Sequence, residues 1–161
     1  MILIIEKDIP TVETMRLLLQ ALDQPFEVVN THSKAALIYN IESVSTIFFN
    51  PELPMVDPKA LIDELEGIAM DKNKPRAPII FLYSDDEIVR RYELHQIPDS
   101  EMHQKPVTME QFYGILDGFG LTELQVNIEH QQVKEKLRQF SQFIHESEGW
   151  LDRLKNHLVK E

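Results

Sequence analysis

The sequence contains no cysteine, which removes disulfide bridges, thiolate metal sites and cysteine nucleophiles at once. Nothing in it points to an oxidising compartment, so a cytoplasmic location is expected. Glycine is scarce, at five in 161 residues, and there is no glycine-rich loop of the kind that cradles phosphates. Long apolar runs are lacking as well. The opening stretch from Met1 meets Glu6 within one strand length, too short for a signal peptide or a membrane span. Basic charge is in short supply: 16 Lys and Arg stand against 27 Asp and Glu, a net charge of −11 at pH 7. Of these, 10 bases and 20 acids fall in the first 120 residues. A field of that sign repels phosphodiester backbones at long range, so nucleic acid is not an expected partner. Protein surfaces of basic or mixed charge are.

What is present suits a folded domain with an appendage, since 43% of the residues are hydrophobic. Residues 2–5 form a short continuous apolar run, the pattern of a strand buried on both faces. A polar Glu6-Lys7-Asp8 loop follows, then a helix opened by Pro10 with Val12, Met15, Leu18, Leu19 and Leu22 on one face. A second strand is expected over 26–29 and a helix from Ser33, as N-cap, to Ile41. The cycle repeats with a strand at 46–49, a proline-rich loop at 50–58 and a helix at 60–70. It continues with a strand at 78–82, a helix at 85–95, a short strand at 101–104 and a helix at 109–119. Five strands alternating with helices imply an α/β fold, a five-stranded doubly wound parallel sheet, because parallel neighbours need crossover connections. In such sheets function gathers in the loops at the carboxyl ends of the strands.

The pattern changes after Gly120. Residues 121–161 hold no proline, and apolar side chains recur at Val126, Val133, Leu137, Phe140, Ile144, Leu151, Leu154 and Leu158, which with His130 and Ser147 as polar members follow alternating steps of four and three. That is a heptad seam, which Phe143 and Trp150 widen and Ser147 and Gly149 weaken in the middle. Two domains are therefore expected, 1–120 and a long C-terminal helical extension over 121–161. The extension either self-associates as a coiled coil through Val133, Leu137, Phe140, Ile144, Leu151, Leu154 and Leu158, or folds back on its own domain.

Catalytic and metal chemistry find little support. The six histidines, at 32, 95, 103, 130, 145 and 157, have no paired i, i+4 spacing, so no metal site and no cofactor is expected. Ser84 has no recognisable histidine base, and Asp85-Asp86-Glu87 reads as the favourable acidic first turn of a helix. Asp63, Glu64 and Glu66 read as a solvated helix face.

Three strand-end loops carry a constellation instead: Glu6-Lys7-Asp8 after the first strand, Asn50 to Asp57 after the third, and Lys105-Pro106 after the fifth. In this order the first 120 residues, about three quarters of the chain, resemble the receiver (CheY-like) domains of two-component response regulators. The resemblance places Glu6 and Lys7 where receivers carry two acids that hold Mg²⁺, and Asn50 at the phosphoacceptor aspartate. It places Tyr83, with Ser84 one residue on, at the switch threonine or serine, and Lys105 at the phosphate-contacting lysine. The departures matter. A carboxamide has neither the charge nor the nucleophilicity to form an acyl phosphate. Glu6, Lys7, Asn50 and Lys105 together carry a single net positive charge, whereas hard cations want anionic oxygens. Lys7 either replaces the metal by pairing with Glu6 or Asp8, or is a solvated loop lysine. Tyr83 is too bulky to move as a small switch hydroxyl does; it either freezes the fourth-helix surface or simply packs.

The resemblance thus implies a degenerate pseudo-receiver: a non-enzymatic signalling or adaptor module that works through protein–protein contacts and is dimerised by its C-terminal helix. Receivers commonly meet partners on the fourth helix, fifth strand and fifth helix, which here offer Arg90, Arg91, Tyr92, His95, Met102, Phe112 and Tyr113, several of them facing the core. The alternative is a phosphorylation-regulated protein with a displaced acceptor, Glu52 or Asp57, and an output segment outside this chain. A small α/β enzyme using the same strand ends is disfavoured, because no nucleophile and base pair can be named.

The seam yields a direct test. Burying a leucine-sized side chain contributes roughly 1.5 to 3 kcal/mol, so several per chain outweigh the cost of association when the seam is dry. Replacing Leu137 and Ile144 with Asp is expected to convert a dimer into a monomer with residues 1–120 still folded. Light scattering at tens of micromolar checks this; an intact chain that is already monomeric contradicts dimerisation.

Overall fold

The computed structural model describes residues 1–121. The seam positions Val133, Leu137, Phe140, Ile144, Leu151, Leu154 and Leu158 lie outside the described residues. Within them, Met1–Thr108 make one compact unit and a second begins at Met109.

The first unit is built on five strands: β1 (Ile2–Ile5), β2 (Phe26–Val29), β3 (Thr46–Phe49), β4 (Ile79–Tyr83) and β5 (Ser100–Gln104). All neighbours pair in parallel, in the order β2-β1-β3-β4-β5, with Ile4 level with Val28 and Phe48, and Phe48 level with Ile80. The central strands are apolar throughout because both faces are covered: Ile2, Leu3, Ile4 and Ile5 are all fully buried. Side chains alternate across the sheet. Leu3, Ile5, Ile47, Phe49, Ile79 and Phe81 point to one face and join a single core cluster with Ala35, Tyr39, Leu61, Leu65 and Leu94.

Chain direction decides which helix covers which face. The step from β1 to β2 runs one way along the sheet, and the later steps run the other way. Right-handed crossovers therefore put α1 (Ile9–Ala21) on one face and α2 (His32–Ile41), α3 (Pro58–Asp71) and α4 (Asp86–Arg91) on the other. The expected fold class, a doubly wound parallel sheet with flanking helices, is the one observed. In the second unit, α5 (Met109–Gly118) buries Phe112, Ile115 and Leu116.

Helix ends follow local chemistry. Pro10 and Pro58 sit in the first turns of α1 and α3, where a missing N–H has no partner to lose. Asp8 and Asp57 cap those turns, and Asp57 Oδ1 accepts from the amides of Lys59 and Ala60. Two expectations are corrected. The N-cap of α2 is Thr31, whose hydroxyl accepts from the Lys34 amide, and Ser33 lies inside the helix. The helix expected over 85–95 is only six residues long, with Tyr92 as its C-cap and Glu93 in the left-handed conformation at φ 50°. A single 3₁₀ turn, Leu94–Gln96, follows. After that break Leu94 is buried in the core at 0% exposure.

Leu94 is the fully buried anchor of this segment, with Val89, Tyr92 and Ile97 partly buried against the same core. Leu94→Ala is expected to lower unfolding free energy by about 2–5 kcal/mol through cavity formation. Ile41→Ala, at a residue 61% exposed, should change it by under about 1 kcal/mol. Urea unfolding of the two variants checks the contrast.

Candidate functional site

The carboxyl ends of β1, β3 and β5 bring Glu6, Asn50 and Lys105 together. Register explains why: β1 and β3 run level, so the residues just past their ends, Glu6 and Asn50, emerge side by side. Both are buried, Glu6 at 2% and Asn50 at 5% exposure. A carboxylate this deep needs partners for its charge, and it has four. Glu6 Oε1 accepts from Asn50 Nδ2 at 2.7 Å and from the Lys7 and Asp8 amides at 2.8 and 3.0 Å. Glu6 Oε2 accepts from Lys105 Nζ at 3.2 Å. The Lys105 amide in turn donates to the Tyr83 carbonyl at 2.7 Å, which ties the end of β4 to that of β5. The Lys105–Pro106 peptide is cis.

The other residues singled out in the sequence are placed differently. Lys7 contributes its amide, but its side chain is exposed and forms no ion pair among the described residues, so the cation facing Glu6 is Lys105 and not Lys7. The Asp8 carboxylate turns away to the start of α1, where Thr11 donates to it through both hydroxyl and amide. The Thr11 hydroxyl is the main reason its pKa lies below the ordinary carboxylate value. Tyr83 is half-buried at the end of β4, and Ser84 is exposed beyond it.

One participant was not foreseen in its actual role. Glu52 is held through its amide by Asn50 Oδ1 at 2.8 Å. Its own Oε1 accepts from the Ser84 and Asp85 amides at 2.5 and 2.6 Å. Loop glutamates are common, and no spacing rule in the sequence announces one that reaches backbone 32 residues downstream.

These residues do not suit a divalent cation. Both Glu6 oxygens are engaged, Lys105 faces one of them, and the Asn50 oxygen faces the Glu52 amide, so this set offers no pair of free anionic oxygens to coordinate.

Of the surface residues named from the sequence, Arg90, Arg91 and His95 are exposed. Tyr92 and Met102 are half-buried and pack against the core cluster. Phe112 is 1% exposed and so leaves the set of surface candidates, while Tyr113, in the second unit, is half-exposed.

With this geometry in hand, comparison with solved structures is informative. A receiver domain of a sensor histidine kinase from Pseudomonas aeruginosa, with magnesium in its active-site cleft, matches 73% of this chain and 94% of its own. The TM-score is 0.59 and the identity 18%. A CheY-like receiver domain from Methylobacillus flagellatus matches 73% of this chain and 96% of its own, at TM-score 0.60 and 19% identity. The chain has the receiver fold. A third match is the Saccharomyces cerevisiae receiver domain of Ssk1, crystallised with the histidine phosphotransfer protein Ypd1. It covers 79% of this chain and 92% of its own, at TM-score 0.63 and 14% identity. No protein-family model and no curated protein sequence matches the chain.

The buried pair gives a stability prediction. Lys105→Met leaves the Glu6 charge without its countercharge and should cost about 3–5 kcal/mol, whereas adding Glu6→Gln to it should restore most of that loss. Urea unfolding of the single and double variants measures the difference.

Proposed function

We infer that this chain is a receiver-like signalling or adaptor module that is not phosphorylated at Asn50 and works through contacts with other proteins. The observation that carries the reading is the direction of one hydrogen bond. Asn50 Nδ2 donates to Glu6, so at the end of β3 the group aimed into the site is an N–H donor. Acyl phosphate formation needs an anionic oxygen attacking phosphorus, and a carboxamide offers none. The two candidate displaced acceptors are occupied elsewhere: Glu52 holds the Ser84 and Asp85 amides, and Asp57 caps α3.

A module without phosphoryl chemistry acts by presenting a surface. Arg90, Arg91 and His95, on α4 and the turn after it, supply exposed cationic and polar groups for a protein partner in a chain that is otherwise strongly acidic. A related receiver has been crystallised with a phosphotransfer protein, which supports protein partnership as the mode of action and two-component signalling as the setting. The heptad pattern over 121–161 supports a homodimer through the C-terminal extension, with 1–120 as the receiver-like domain. Among the described residues no helix is long and apolar enough to cross a membrane. The cysteine-free composition is in keeping with a cytoplasmic location, and the lack of a recognisable nucleophile and base pair with a non-enzymatic role.

The test is ligand-dependent stabilisation, since anything that binds the native state raises its melting temperature. Millimolar Mg²⁺ with beryllofluoride should leave the melting temperature unchanged, and acetyl phosphate should add no phosphoryl mass to the intact protein. Asn50→Asp alone should also remain unlabelled, because Lys7 and the Glu6–Lys105 pair still oppose a cation. A rise of several degrees, or a phosphorylated wild-type chain, contradicts the proposal.

A further inference from the structure

We propose that Glu52 is a built-in latch that holds α4, and with it the Arg90–Arg91 surface, in one ordered conformation without any phosphoryl group. The inference rests on the reading of Asn50 as a non-accepting residue, and it identifies what does the ordering instead.

The base of the latch is rigid. Glu52 lies between Pro51 and Leu53, both buried, and Val56 buries a third anchor of the same loop at 8% exposure. Its amide is held by Asn50 Oδ1, itself tied through Nδ2 to Glu6 and so to Lys105. The catch is the pair of amides from Ser84 and Asp85, both taken by one carboxylate oxygen. Hydrogen bonds from backbone amides to an ionised carboxylate are charge-assisted and stronger than neutral ones.

What the catch controls is α4. Six residues are far too few for a helix that stands alone, and α4 contributes no fully buried side chain, only the partly buried Val89 packed against the core. It is held at its far end by Leu94, in the turn that follows. At its near end it is held by its N-cap, Asp85, whose side chain accepts from the Glu87 amide. Glu52 binds the backbone of that same N-cap residue, so the cap is positioned from the β3–α3 loop. Arg91 in turn pairs with Glu87 at 3.0 Å inside this short helix. Order at the Asn50 loop is thereby passed to the exposed arginines through one side chain.

The experiment is amide hydrogen exchange, followed by NMR on the full-length chain, of wild type, Glu52→Ala and Glu52→Gln. Glu52→Ala should lower protection at Ser84 and Asp85 at least tenfold and also lower it at Ile88 and Tyr92, with the amides of Ile4, Phe48 and Ile80 unchanged. Glu52→Gln keeps a carbonyl acceptor without the charge and should fall between the two. Unchanged protection at Ser84 and Asp85, or loss spread equally over the sheet, overturns the latch. So does loss at Ser84 and Asp85 with Ile88 and Tyr92 unaffected. Failure of the latch leaves wild-type acetyl phosphate labelling negative, whereas failure of the non-phosphorylated reading turns it positive, so the two are told apart.

Discussion

The Glu6 carboxylate is the constraint around which the strand ends are arranged. At 2% exposure it has lost nearly all of its water, a cost of several kcal/mol per ion that attraction to one lysine does not fully offset. It is tolerated because three N–H donors converge on Oε1 and Lys105 covers Oε2. Each donor comes from a segment that must then stay put: the turn after β1, the residue after β3 and the residue after β5. A single buried charge thus sets the mutual position of three loops. With its oxygens engaged, the same charge is withdrawn from the work a free carboxylate does elsewhere, namely binding a cation.

The identities of Asn50 and Lys105 follow from the same requirement. An aspartate at position 50 would face Glu6 as a second buried anion beside the first, and like charges at that depth demand a proton or a cation between them. The carboxamide removes the conflict and supplies a donor on the Glu6 side and an acceptor on the Glu52 side. Asn50 is the hinge between two hydrogen-bonded halves, one centred on Glu6 and one on Glu52. Neither half needs an outside ligand to satisfy its polar groups.

Much of the fold was legible in the sequence because burial on both faces writes itself as uninterrupted apolar runs. β1 and β3 occur where those runs were read and β4 within one residue of its run, and Pro10 and Pro58 both lie in first turns. The convergence of Glu6, Asn50 and Lys105 was legible for a topological reason, since parallel strands in one sheet must send their following residues to one edge. The missed features share a different cause. Whether α4 stops at Arg91 or runs on depends on Leu94 finding the core, a tertiary contact with no local signature. Whether Lys7 or Lys105 faces Glu6 depends on side-chain direction at a loop, where residue order assigns a position but not an aim. Glu52 was visible as an acid near the site, but the two amides it holds belong to backbone, which every sequence supplies everywhere.

That last point bears on how an acidic side chain can replace a mobile anion. A bound anion orders backbone amides only while it is present, and the ordering is lost with it. A glutamate carried on a loop anchored by Leu53 and Val56 is present at a high local concentration at all times, because its tether is short and already ordered. The entropy of bringing the charge to the amides was spent when the loop folded, so the contact adds order to the start of α4 without a further binding step. Under the proposed latch, responsiveness is traded for constancy: the α4 surface would depend on the integrity of the chain's own core and not on the supply of a ligand. The amides of Ser84 and Asp85 are where that difference is physically located, since they are the donors an anion would need and Glu52 already has both.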